Sequence, residues 1–232
     1  MKKCLLLLCL ALAVLILPCQ LIAAINPTTQ GYNRTLAITG TTFDNKRYSG
    51  TLEVRSRKIS SPSSQIEGVT LKWNVGGTIY QGIGISTGNI LTATWGGNSC
   101  SLVVYAVEGK KLNGIWTVAG ANALGTEVAL INTGKGIAGS YSVTGTNGNG
   151  SAYKGALDII ERGPVYQFSW KVGANYEGIG IKTADLISVA WSANPKDTCG
   201  VVQYEIVNSG LKNGKWGIYG QNALGTEEGV LK

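Results

Sequence analysis

The feature that most constrains this chain is that it is written twice. The run Asn122-Ala123-Leu124-Gly125-Thr126-Glu127 recurs 100 residues later as Asn222-Ala223-Leu224-Gly225-Thr226-Glu227. Upstream, Trp73 matches Trp170, Trp95 matches Trp191 and Trp116 matches Trp216, so all six tryptophans fall into three pairs. Tyr48/Tyr153, Tyr80/Tyr176 and Tyr105/Tyr204 pair in the same way. Duplication on this scale sets an expectation of two units of about 100 residues, each large enough for one modest core. It also supplies a filter: a residue kept in both copies serves what both copies share.

The first 24 residues stand apart. Lys2 and Lys3 precede an apolar run from Leu5 to Leu17, and Ala23-Ala24 offers small residues at a cleavage point. This reads as a signal peptide over 1–24, followed by a linker over 25–33, and implies an exported chain at the cell surface, in the periplasm or secreted. Lipidation at Cys19 is the variant of that reading. The apolar run is shorter than the ~20 residues a spanning helix needs, and no second one follows, so no transmembrane segment is expected in the mature chain.

The rest alternates with period 2 and is punctuated by turn residues, with 33 glycines and only 5 prolines. In the first copy the strands read as about 34–41, 47–58, 69–76, 78–86, 90–96, 101–108, 112–119 and 125–132. In the second they read as about 138–145, 151–162, 165–173, 175–182, 186–193, 200–207, 212–219 and 225–231. Closing eight meandering strands into a barrel removes both edges and buries one face. The fold class is therefore all-β, two tandem eight-stranded antiparallel meander barrels over 34–133 and 134–232, joined near 132–135. Two β-sandwiches are the alternative. The one large difference between copies is the insertion Ser60–Gln65, a loop extension.

The chain holds no histidine, which removes Ser-His-Asp and Cys-His catalysis and the commonest metal ligand. No catalytic residue, metal site or cofactor is assigned. Gly82-Ile83-Gly84 and Gly178-Ile179-Gly180 sit inside strands, so a phosphate loop fails on context. The formal charge is +7 and only Arg55-Ser56-Arg57-Lys58 is dense. That segment reads as a solvated loop, not a nucleic-acid stripe. Two acidic positions are kept, Glu53/Asp158 and Glu127/Glu227. The first lies on the polar face of its strand; the second reads as a local hydrogen bond fixing the turn into the last strand. Cys100 and Cys199 occupy equivalent positions. They are either inherited thiols or a disulfide, and a bridge would have to join the two repeats or two molecules.

Aromatic residues are the remaining candidates for a site. Trp73 and Trp170 sit in clean apolar alternation and read as core. Trp95/Trp191 end a strand before a polar loop, and Trp116/Trp216 follow Asn-Gly turns. These four are the candidate ligand-binding residues, as Trp95 with Trp116 in one unit and Trp191 with Trp216 in the other.

Tyr153-Lys154-Gly155, Trp170, Tyr176-Glu177-Gly178-Ile179-Gly180-Ile181, Val201-Val202-Gln203-Tyr204 and Asn213-Gly214-Lys215-Trp216, with Gly145 and Gly148, form a pattern. It resembles a group of exported bacterial β-repeat proteins, some loosely labelled fibronectin-binding. The meander is also similar in outline to avidin-like and lipocalin-like barrels, which implies fold alone. The expected function is an exported, non-enzymatic binding or adhesion protein, whose partner is a host or surface protein or a glycan. A secreted hydrolase or hydrolase inhibitor, and a structural surface protein, are the alternatives.

Overall fold

A computed structural model describes residues 33–97 and 99–232. The expected signal peptide, the Cys19 of its lipidated variant and most of the expected N-terminal linker lie outside the described residues. Among those described there is no helix, and sixteen strands run in sequence. In the first copy these are β1 (Arg34–Thr41), β2 (Arg47–Arg57), β3 (Ile66–Val75), β4 (Thr78–Thr87), β5 (Ile90–Trp95), β6 (Ser101–Glu108), β7 (Lys111–Thr117) and β8 (Gly125–Lys135). In the second they are β9 (Ala138–Thr146), β10 (Ala152–Arg162), β11 (Val165–Val172), β12 (Ala174–Thr183), β13 (Leu186–Ser192), β14 (Gly200–Val207), β15 (Gly210–Ile218) and β16 (Gly225–Leu231).

These strands close into two eight-stranded antiparallel barrels, the expected fold class. The barrels do not follow the repeats. One barrel runs β1-β2-β3-β4-β5-β14-β15-β16 and closes β16 onto β1; the other is the unbroken meander β6 to β13. The expected boundary at 133/134 is therefore corrected. Residues 34–95 pair with 200–231 in the first barrel, and residues 101–192 make the second. The expected linker at 132–135 is the end of β8, which turns at Gly136-Ile137 straight into β9.

The physical reason is that the copies present interchangeable edges. β5 pairs with β14, Ala93 opposite Val202 and Trp95 opposite Gly200. Its equivalent β13 pairs with β6, Val189 opposite Val103 and Trp191 opposite Ser101. Each copy thus donates its last three strands to the other. The chain crosses between β5 and β6 and again between β13 and β14. The crossings are locked together by a disulfide between Cys100 and Cys199, with Cα atoms 5.5 Å apart. This resolves the cysteine alternatives in favour of the bridge between repeats. Gly96 (φ 120°) permits the close approach: a side chain there would collide with the Thr198 carbonyl of the other crossing, at 2.4 Å.

Equivalent residues bonding to each other place a pseudo-twofold axis between the barrels. Cys100–Cys199 is one such pair; Thr92 Oγ1 and Ser188 Oγ, 3.0 Å apart and buried, are another. Around this axis lies a shared apolar layer with Ile85, Leu102, Val104, Ile179, Ile181 and Val201. Two further cores fill the barrels. Leu36, Leu52, Leu71, Trp73 and Tyr204 lie in the first; Tyr105, Tyr141, Leu157, Phe168 and Trp170 lie in the second. The Ser60–Gln65 insertion is not a free extension at its start. Ser60 N–H donates to Asn122 O (2.7 Å) and Leu124 N–H to Ser60 O (3.0 Å). Arg57, read from sequence as part of a solvated loop, instead ends β2 and donates to the Ala121 carbonyl (2.5 Å) and Thr117 Oγ1 (3.0 Å) of the other barrel.

Every strand of residues 101–192 has both neighbours within that segment. Expressed alone, it should give a β-type far-UV spectrum and a cooperative melt, and should self-associate through its exposed Val104–Ile179–Ile181 face. An unfolded 101–192 fragment would contradict the exchanged pairing.

Candidate functional site

The kept glutamate is the floor of each barrel. Along β16 and β8 the inward positions are Gly225, Glu227 and Gly229, and Gly125, Glu127 and Ala129, so period 2 carries the carboxylate into the interior. Glu227 is 5% exposed and Glu127 6%. The sequence reading of this residue as a turn fixture is replaced by a different role. Glu227 Oε1 accepts from Trp73 Nε1 (3.1 Å) and from the Tyr204 hydroxyl, and Oε2 accepts from Tyr48 OH (2.9 Å). Glu127 repeats the cluster with Trp170 Nε1 (3.0 Å), the Tyr105 hydroxyl and Tyr153 OH (2.9 Å). An ionised carboxylate only accepts, and an indole N–H only donates, so the donor set fits the anion.

Burial nonetheless raises the pKa of both glutamates above 4.5, outweighing the three hydrogen bonds that lower it. Burial, then the neighbouring Glu227, drives the Tyr204 and Tyr48 hydroxyls upward, and Glu127 does the same to Tyr105 and Tyr153. These phenols stay protonated and remain donors.

Above each floor opens a cavity. In the first barrel it measures about 200 Å³ and is walled by Trp73, Trp95, Trp216, Tyr48 and Tyr80. In the second it measures about 260 Å³, walled by Trp170, Trp191, Trp116, Tyr153 and Tyr176. All four sequence candidates line a cavity, and all four are half-buried. Their grouping is corrected by the strand exchange. Trp95 faces Trp216 (ring centroids 6.0 Å, 73°) and Trp116 faces Trp191 (6.2 Å, 76°). Each cup thus draws one candidate from each repeat.

Glycines seat the rings. A methyl group added at Gly225 would lie 2.1–2.5 Å from three atoms of the Trp216 indole, and one at Gly125 would lie 2.1–2.4 Å from three atoms of Trp116. One ring face therefore rests on bare backbone. This explains the repeated Gly-Thr-Glu: the glycine seats the tryptophan of the neighbouring strand, and the glutamate holds the floor. Gly82 and Gly178 lie beneath Trp73 and Trp170 in the same manner, each 3.1 Å from the indole Cζ3 by the same construction. The other kept acidic pair stays outside. Glu53 is half-exposed beside Arg55 (3.4 Å), and Asp158 is exposed on β10.

The cups differ at the rim. Phe43 lies 6.1 Å from Trp216 in the first barrel, where the second has Gly148. Thr42 lines the first cavity and Asn147 the second. Gly200 opposes Trp95, but Ser101 opposes Trp191.

Comparison of the chain with protein-family models, with curated proteins and with solved structures finds no match.

Trp73→Ala and Trp170→Ala should each cost about 3–5 kcal/mol by emptying a buried aromatic site; unchanged urea midpoints would contradict their burial. A carboxyl whose folded pKa is raised keeps its proton at pH values where the unfolded chain has lost it. The contribution of Glu127 and Glu227 to stability therefore falls as pH climbs from about 4.5 through the folded value. The double variant Glu127→Gln/Glu227→Gln removes that decline. Its stability relative to the natural chain should rise between pH 4 and pH 8, as read by urea midpoints.

Proposed function

We propose that this is an exported, non-enzymatic binding protein with two small-molecule sites, one in each barrel mouth. The observation that carries the reading is the repetition of one complete arrangement. Each cavity is lined by three tryptophans and three tyrosines and has one hydrogen-bonded carboxylate in its floor. A core that merely needed filling would have no reason to leave it open. Pockets built of apolar walls around a few convergent polar groups are how proteins hold small ligands.

Size narrows the partner. At ~30 Å³ per water-sized volume, the cavities hold a group of about seven to nine heavy atoms. That suits a small solute or a protruding terminal group better than an extended glycan or a protein surface. Export rests on the N-terminal sequence pattern. The non-enzymatic part is supported by the position of the carboxylates. Hydrolysis of a glycosidic bond uses two carboxyl groups about 5–9.5 Å apart. Here the second kept carboxylate, Glu53 or Asp158, stands on the outer wall.

A library of fragments of about ten heavy atoms, screened by saturation-transfer NMR, tests the reading. Hits should titrate to two sites. Trp95→Ala/Trp216→Ala should remove one site and Trp116→Ala/Trp191→Ala the other. Trp95→Ala/Trp116→Ala, which pairs residues of one repeat, should damage both. Absence of hits, or hits unaffected by any of these changes, would refute it.

A further inference from the structure

The electrostatics of the cups point to the chemical class of the ligand, an inference that rests on the binding reading above. Among the described residues, each cavity wall contains one charged side chain, Glu227 or Glu127, and no lysine or arginine. The three groups that contact each carboxylate are neutral hydroxyls and an indole, and none of the described salt bridges involves either residue. The negative charge is thus solvated by dipoles but not balanced, and burial penalises it.

The walls carry the same sign of field. Aromatic faces are the negative pole of the ring quadrupole. Trp216 and Trp116 each rest one face on glycine backbone. Adjacent rings meet steeply: Trp73 and Trp95 at 55°, Tyr48 and Trp216 at 64°, Tyr176 and Trp191 at 89°. Rings set at such angles box a space on several sides. A box of aromatic rings over a carboxylate offers a cation its attraction from wall and floor together, and offers an anion no countercharge.

We propose that each cup binds a small organic cation, a trimethylammonium group of the choline type. Such a group is bulky and apolar at its surface, so it contacts ring faces without demanding hydrogen bonds from a wall poor in acceptors. A primary ammonium would lose hydration that the wall cannot replace. Choline, with seven heavy atoms, matches the ~200 Å³ cavity at ~30 Å³ per water-sized volume.

The test uses the full chain, read by calorimetry and by quenching of tryptophan emission. The probes are choline, tetramethylammonium, 3,3-dimethyl-1-butanol (choline's shape without its charge) and vesicles of phosphatidylcholine. Choline and tetramethylammonium should bind at least about tenfold more tightly than the neutral alcohol. Glu127→Gln/Glu227→Gln, which keeps the side-chain shape, should erase most of that preference in protein whose far-UV spectrum matches the natural chain. Vesicle binding without free choline binding would assign the group to a lipid headgroup and still support the cation. Equal binding of the neutral alcohol, or an undiminished preference in the Gln variant, overturns the proposal while leaving two binding cups. Binding of neither the cations nor the alcohol, with no hit in the fragment screen, overturns the binding reading itself. Fragment hits without cation binding overturn the cation alone.

Discussion

The structure turns on one buried carboxylate in each barrel and the three donors around it. A charge removed from water costs several kcal/mol unless hydrogen bonds replace its hydration. Glu227 obtains Tyr48 from β2, Trp73 from β3 and Tyr204 from β14. Glu127 obtains Tyr153 from β10, Trp170 from β11 and Tyr105 from β6. Each cluster therefore takes groups from both repeats and from opposite sides of the barrel. It can be complete only when the strands have been exchanged or when one repeat has closed on itself with the same set. The polar floor thereby requires a closed barrel of the right register, a demand that apolar filling alone would not make.

Exchange also decides where the cups are. Since the last three strands of each repeat complete the other's barrel, neither repeat owns a whole cup. Trp95 and Trp216 are 121 positions apart in the chain yet face one another at 6.0 Å. The crossing segments lie against each other on the pseudo-twofold axis, and the Cys100–Cys199 bridge closes the pair there. A bridge at that point holds the two exchanged halves in register, and in the unfolded chain it closes a loop of about 100 residues, worth roughly 4–5 kcal/mol in the loop-entropy account.

Strands and inward faces were legible in the sequence because the alternation is regular. Leu71, Trp73 and Val75 against Lys72 and Asn74 is a pattern with one solution. The exchange was not legible, and for a physical reason. β6 and β14 offer β5 the same inward residues, Val103 and Tyr105 against Val202 and Tyr204, so pairing energy barely distinguishes the two topologies. A faint signal existed: Leu102-Val103-Val104 and Leu186-Ile187 with Val189-Ala190 are apolar on both faces, and two-sided burial means something packs outside. The glutamate was misassigned because its turn was read before its parity. Glu127 stands two residues from Gly125 and two from Ala129, on the face that goes inside. The half-burial of the four candidate tryptophans was legible because half-burial near turns is a local property; which of them share a cavity was not, because that depends on topology.

Divergence between the copies is not spread evenly over the cups. The floor is kept residue for residue, Tyr48/Tyr153, Trp73/Trp170, Tyr204/Tyr105 and Glu227/Glu127. The rim is where they part, with Phe43 against Gly148, Thr42 against Asn147 and Gly200 against Ser101. Under the binding reading, a kept floor with a varied rim means a shared group recognised at depth and different substituents tolerated at the mouth. Phe43 adds an apolar ring beside Trp216 in the first barrel. Asn147 gives the second a donor and an acceptor within the cavity wall. Under that reading the first cup favours an apolar substituent, and the second one that carries a polar arm out of the barrel. Two linked sites of unlike rim gain less from avidity than from breadth, since a single divalent ligand would have to satisfy both mouths at once.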